Sequence, residues 1–278
     1  MKLGHIDYLN CYPFYYHAFE KAPLQGITIF SDYPARLNSM LTHGALDMSP
    51  VSAATCADIG DNILLLPDFC LSSIGYVGSV ILISKFPIED LNGKKVGLTS
   101  ASHTSVVLLK ALLKKYYKQE PEYIKSHPRP LLKDMDAALV IGNDAMAKAS
   151  GPIPYTYDLG DLWLRKTGFP VVFAVFAVRE KNINHYATEI KLTISSYYKS
   201  LSCLRDDKKH VIEKAEERYP DIVYDLDNYY DLLKFEFTDD LKAALMFYYS
   251  LAGELGLVRK TNHLGFLEFQ ELPVSGCQ

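Results

Sequence analysis

Short apolar runs alternate with helix-length amphipathic stretches up to about residue 180, and longer helical patterns fill the remainder to about 255. The run containing Leu3 and Ile6 predicts a first strand, and Pro13 stands where a helix over 14–21 would open, because proline's fixed φ suits a first helical turn. A strand over 27–30, a helix opened by Pro34 and stopped by Gly44, and a short apolar strand over 45–48 follow. Ser52 is placed to cap a helix over 53–59. Strands are expected at 63–66, 74–77 and 80–84, the last a continuous β-branched run. A second series has a strand at 95–99, a helix over 103–117 and a strand over 137–141. After a buried strand at 171–178 the segments 182–203, 208–218 and 239–255 read as helices, with 225–231 a polar, Tyr-rich connection.

Strands alternating with helices predict an α/β fold with largely parallel sheets. The layout suggests two lobes crossed twice by the chain, first at 80–84 with Lys85-Phe86-Pro87 behind it, and again at 171–178. The first lobe is then expected to hold 1–84 and 175–278 and the second 85–174, with ligands bound in the cleft beside strand ends and helix N-termini.

Composition narrows the function. With 278 residues the chain has material for two cores, and 49% hydrophobic with 22% charged residues is ordinary for a soluble globular protein. A net charge of -4 without a basic stripe argues against nucleic acid as partner; Lys114-Lys115 and Lys208-Lys209-His210 read as solvated helix faces. No run approaches the ~18 apolar residues that span a bilayer, and nothing at the start resembles a leader, so no membrane is expected. The five cysteines are scattered and form no CxxC pair, which makes a structural metal unexpected and a reducing cytoplasm the simplest location.

Four segments put small polar residues just after strands: Tyr8-Leu9-Asn10, Ser49-Pro50-Val51-Ser52, Gly78-Ser79 and 99–105. The last opens the long helix predicted from 103, whose free N–H groups and dipole would favour an anion by about 0.3–1 kcal/mol. Each segment alone is explained by helix capping; their recurrence after strands predicts a cleft for a small polar or anionic ligand. Phosphate loops, GxGxxG after a strand, HExxH and GxSxG are all missing, and the eight histidines include no metal-binding i, i+4 pair. His17 and His43 read as surface residues, and His5 as a core residue or a cleft one. His103 is the histidine best placed for function, while Cys11 has no indicated partner to make it a nucleophile.

Taken together, several motifs resemble one family. They are Tyr8-Leu9-Asn10 with Pro13; Leu37-Asn38, Gly44, Asp47 and Ser52; Ser73, Gly75 and Ser79-Val80; and Ser102, Thr104 and Ser105. The Ile141-Gly142 turn, Tyr157-Asp158-Leu159-Gly160 with Trp163, Thr167-Gly168 with Pro170 and Phe173-Ala174, and the run 243–256 with Gly253 and Gly256 complete the set. The combination resembles the chorismate dehydratase family of the futalosine route to menaquinone over nearly the whole chain. The resemblance implies a two-lobed type II periplasmic-binding-protein-like fold, no cofactor, and loss of water from chorismate to give 3-[(1-carboxyvinyl)oxy]benzoate.

Under that resemblance Asn10 would orient the departing hydroxyl region. Ser102, Thr104 and Ser105 would hold one carboxylate of a dicarboxylate substrate, and Ser52 and Ser79 the other carboxylate or the enolpyruvyl arm. Gly142 and Asn143 would form the cleft turn. The proton acceptor would be the substrate's own enolpyruvyl carboxylate or a side chain such as His103. Two positions depart from the family: Asn143 stands where Asp is common, and Phe176 where Trp is. The related 1,4-dihydroxy-6-naphthoate synthase of the same pathway carries a His-Glu pair where Gly142-Asn143 stands here, which favours the dehydratase. A non-catalytic solute-binding protein and a ligand-sensing domain are the alternatives outside enzymes.

Overall fold

The computed structural model describes residues 1–268 apart from 129, 148–152 and 223. Its first elements are β1 Lys2–Ile6, α1 Tyr12–Tyr16 (continued as a wider turn over His17–Lys21), β2 Thr28–Asp32, α2 Pro34–Thr42, β3 Met48–Ser52, α3 Ala53–Ile59 and β4 Ile63–Ser73. Next come β5 Val80–Ser84, β6 Lys95–Leu98, α4 His103–Ala111 (continued over Leu112–Tyr117), β7 Glu122–Lys125, β8 Ala137–Ile141, α5 Asn143–Met146, β9 Tyr155–Asp158 and α6 Leu159–Thr167. The last named elements among the described residues are β10 Val171–Arg179, α7 Ala187–Asp206, α8 Lys208–Arg218, α9 Leu226–Leu232, β11 Leu233–Glu236 and α10 Asp239–Glu254.

These strands form two sheets, one per lobe: six strands in the order β11-β4-β10-β3-β1-β2 and five in the order β7-β6-β8-β5-β9. The α/β expectation holds, but the sheets are mixed and not largely parallel. β1 runs parallel to β2 and β3, and β6 to β7 and β8. β10 runs antiparallel to β3 and β4, and β5 antiparallel to β8 and β9.

Sheet membership also moves the crossing points. Val80–Ser84 pairs with β8 and β9 in the five-stranded sheet, and β10 lies in the six-stranded sheet from Val171 onward. The chain therefore changes sheets within 74–79 and between β9 and β10, ahead of the strands 80–84 and 171–178 where the hydrophobic pattern suggested the crossings. A β-branched run identifies a strand without saying which sheet it joins.

Other differences have local causes. The strand expected at 45–48 forms instead at Met48–Ser52 and runs through Pro50, beside which β1 pairs with this strand only at Met48. The strand expected at 74–77 is loop, and 63–66 is the start of one long strand ending at Ser73. The segment 225–231, read as a connection, contains α9, begun by Asp225 accepting the Asn228 N–H.

The core of the larger lobe is aromatic. Phe14 packs against Phe176 at 4.4 Å between ring centres, and Phe69 and Tyr197 close the cluster edge-on. Phe176 is thus a packing residue of this aromatic cluster. His5 lies in this core, fully buried between Tyr15 and Phe19 with Nδ1 on Ser31 Oγ. Burial, with the Arg218 charge as a second cause, pushes its pKa down to about 3.

The unfolded chain takes up that proton near pH 6.5, whereas the folded chain resists until about 3. Stability is therefore intact above pH 6.5 and falls as pH drops, by up to ~1.4 kcal/mol per unit from this one group. Urea titrations between pH 7.5 and 5 are expected to show this slope. His5→Phe should flatten it by one proton's worth, and an unchanged slope would remove His5 as the cause.

Candidate active site

The loops that follow β1, β3, β6 and β8 meet between the two lobes. Asn10, Ser52, Ser79, Ser102, Ser105 and Gly142 line one cleft there, with Tyr8, Pro34 and Phe173 on its walls. The cleft is narrow, with only about 40 Å³ open to the centre of a water-sized molecule. Six of the eight residues expected at the site thus face the same space. Thr104 and Asn143 do not: Thr104 donates to Phe173 O (2.9 Å) and accepts from Ala54 N (3.2 Å), and Asn143 Oδ1 accepts the Leu9 N–H at 2.9 Å. Both fasten one lobe to the other beside the cleft. The Ala35 N–H to Ala101 O bond (3.0 Å) does the same.

The serines are held so that their protons remain for a ligand. Ser52 occupies the N-cap position of α3 without capping it; its Oγ accepts from Asn38 Nδ2 (2.9 Å), and its N–H donates to Asn38 Oδ1 (3.0 Å). Ser79 Oγ accepts from the Tyr229 hydroxyl at 2.9 Å. An oxygen already accepting a bond still carries its own O–H donor. Ser102 caps α4 by accepting the Ser105 N–H, and its Oγ lies 3.1 Å from Ser105 Oγ, so this pair shares one proton and has one left. Asn10 brings an acceptor: its Oδ1 is buried and has no hydrogen-bond partner.

The cleft is also nearly free of charge. Among the described residues, the only titratable side chain lining it is Tyr8; no carboxylate, ammonium, guanidinium, imidazole or thiol does. His103 stands at the start of α4 but does not line the cleft. Its Nδ1 meets Thr55 Oγ1 at 3.1 Å and Asp58 at 3.7 Å, and burial lowers its pKa despite Asp58. Burial pushes the Cys11 thiol up to about 12, far from a thiolate nucleophile. His5 belongs to the core and not to the cleft. Among the described residues no cluster of His, Cys, Asp or Glu is arranged to hold a metal, and no helix is long and apolar enough to cross a membrane.

The backbone that carries these groups is locally fixed. Gly142 has φ 56° and ψ −140°, a conformation open in practice only to glycine, and its N–H holds Ser79 O at 2.7 Å. Asp158 at the end of β9 accepts from Val77 N (3.2 Å), Gly78 N (2.7 Å) and Asp161 N (3.0 Å), so one carboxylate caps α6 and staples the crossing loop. Burial raises its pKa, opposed by these backbone donors.

Two contributors were out of reach of sequence patterns. Tyr229 lies on a helix not expected from the sequence, 150 positions from Ser79. Asn38 stood in a recognised motif, but nothing in its spacing showed that it grips Ser52. A wider groove beside β11 is lined by Leu201, Leu204, Leu233 and Phe235 together with the charged Arg205, Lys208, Lys234, Asp231, Glu236 and Asp240; its Lys208 is paired with Asp227 and Asp231.

Two mixed sheets with neutral donors gathered between them have the periplasmic-binding-protein fold. A periplasmic aliphatic sulphonate-binding protein from Escherichia coli superposes with a TM-score of 0.60 at 13% identity, covering 99% of this chain and 96% of that one. A structural-genomics protein from Archaeoglobus fulgidus reaches 0.71 at 18% identity over 92% of this chain and 98% of its own. Within that fold the chain belongs to the menaquinone biosynthesis family, whose model matches residues 1–254. It is also 33% identical over 196 residues to the chorismate dehydratase of Thermus thermophilus, an alignment covering 65% of this chain and 70% of the relative.

Proposed function

We propose that the chain is an enzyme, a hydro-lyase that removes water from chorismate to give 3-[(1-carboxyvinyl)oxy]benzoate. The family membership and the Thermus relative's name support the substrate. The observation that carries the reading is the cleft's inventory: three outward hydroxyl donors, one unpartnered amide oxygen and no side-chain acid or base apart from a phenol. Such a site suits a substrate that supplies its own reactivity.

In chorismate the proton on the carbon bearing the enol ether is acidified through the diene by the ring carboxylate. Its removal and expulsion of the hydroxyl on the next carbon break one C–H and one C–O bond. One water leaves, and the ring becomes aromatic, which drives the step. The protein's share is orientation and stabilisation of charge spreading onto the ring carboxylate.

In this scheme Ser102 and Ser105, with the N-terminus of α4, hold one carboxylate, and Ser52 and Ser79 hold the other or the enolpyruvyl arm. Asn10 Oδ1 accepts from the ring hydroxyl and fixes the carbon–oxygen bond that breaks. The enolpyruvyl carboxylate takes the proton, since the described cleft offers no stronger base. Gly142 shapes the turn; Thr104 and Asn143 keep the lobes together around the substrate, and closure strengthens each contact by excluding water. The reading places the reaction in the cytoplasm.

Incubating the purified chain with chorismate, and following mass and ultraviolet spectrum, tests this. Loss of one water with appearance of a benzoate spectrum is expected. Tight binding without conversion would move the protein to the solute-binding class, and neither binding nor conversion would overturn the reading altogether.

A further inference from the structure

We propose that Tyr229, which does not line the cleft, is a positioning residue that aims the Ser79 hydroxyl at the substrate; this rests on the dehydratase reading of the cleft. A serine hydroxyl rotates among three staggered positions and can spend its proton on any nearby acceptor. Here the choice is narrowed from behind. Ser79 is 1% exposed, its carbonyl is taken by Gly142 N–H at 2.7 Å, and its Oγ receives the Tyr229 proton at 2.9 Å. With one lone pair engaged, the remaining O–H is turned toward the cleft that Ser79 lines.

The phenol itself is rigidly placed. Tyr229 is 0% exposed and packs edge-on against Tyr224 at 5.7 Å, with Tyr230 tilted beside it at 6.0 Å. Burial raises its pKa, so it stays a donor throughout the working pH range. Its neighbour Tyr230 donates to Leu9 O at 3.1 Å, and Leu233, just after the helix, lines the cleft. The short helix α9 thus braces the cleft from the C-terminal part of the chain: Tyr229 acts on the Ser79 hydroxyl and also meets the Asn10 side chain, and Tyr230 holds the backbone preceding Asn10. Asn38 does the same work for Ser52 on the opposite wall.

The test is a double-mutant cycle with Tyr229→Phe, Ser79→Ala and the pair, read as kcat and KM on chorismate together with melting temperature. Tyr229→Phe removes one oxygen and keeps the ring. It is expected to lower kcat about tenfold, on the scale of one polarised hydrogen bond, with KM changed less than twofold. In the Ser79→Ala background the same change is expected to have a clearly smaller effect on kcat, the remainder passing through the phenol's contact with the Asn10 side chain. Multiplying effects in the double variant, or an unchanged kcat for Tyr229→Phe, would overturn the proposal while leaving the dehydratase reading in place.

If the wild-type chain binds chorismate without converting it, the dehydratase reading fails by itself, and the same four proteins are compared by calorimetric affinity. Clearly greater weakening by Tyr229→Phe when Ser79 is present then supports the positioning role; equal weakening in both backgrounds overturns it. A chain that neither binds nor converts chorismate overturns both.

Discussion

Replacing Gly142 with alanine is expected to reduce turnover at least a hundredfold and to lower the melting temperature by several degrees. Two independent costs arise at this position. The first is backbone strain: φ 56° with ψ −140° lies where a side chain costs on the order of 1–3 kcal/mol. The second is steric, since an added Cβ would lie 2.7 Å from two ring carbons of Tyr8. That ring is buried, with Tyr33 edge-on at 5.8 Å, so it has no free swing away from the turn.

Relief must come from the turn or from Tyr8, and both are wall elements of the cleft. Shifting the turn also loosens the Gly142 N–H bond to Ser79 O and the Asn143 hold on Leu9, thereby moving Ser79 and Asn10 together. A misplacement of about 1 Å at such groups costs on the order of 100-fold in rate. Circular dichroism melts and steady-state assays of Gly142→Ala read both effects. A variant with wild-type melting and turnover would show that the turn tolerates a side chain and that its shape does not matter.

How far the sequence disclosed this architecture depends on what fixes each piece. Ala137–Ile141 and Val80–Ser84 were legible because continuous apolar runs of this length bounded by polar residues have few other uses. Ser102 and Ser105 were legible because a hydroxyl just before a long amphipathic run is a local signal, realised here as the cap of α4. Sheet assignment was not, because Val80–Ser84 would look the same in either lobe; pairing with β8 and β9 is decided by contacts distant in sequence. Helix α9 was hidden by its polar, tyrosine-rich composition, which buries Tyr229 and Tyr230 through tertiary contacts and not through an apolar stripe.

The same division runs through the site. Six of the eight expected residues line one cleft, since position after a strand is a local property. What each hydroxyl is bonded to is not local. Thr104 reads like its serine neighbours, yet its oxygen is committed to Phe173 O and Ala54 N. Asn143 sits one residue from a cleft glycine, yet its side chain turns to the Leu9 backbone. Asn there serves as a neutral acceptor of a backbone N–H, a role an aspartate could also fill, so the change from the family's usual residue does not remove a base from the cleft.

Asn10→Ala is expected to separate stability from activity in opposite directions. A buried amide oxygen without a partner, as Asn10 Oδ1 is, costs about 1–3 kcal/mol relative to one that is satisfied. Folding alone does not explain its retention at the bottom of a cleft; an acceptor kept unpaired is preorganised for a donor that arrives with the ligand. Truncation removes that cost, so the melting temperature is expected to stay level or rise. Turnover is expected to fall about 100- to 1,000-fold, the usual effect of losing one group aimed at the reacting atoms. Asn10→Asp retains the shape but puts a negative charge beside a doubly negative substrate, and is expected to raise KM as well as lower kcat. If Asn10→Ala turned over chorismate at the wild-type rate with unchanged KM, the orphaned oxygen would have no part in the reaction, and the leaving hydroxyl would have to be fixed by the serines alone.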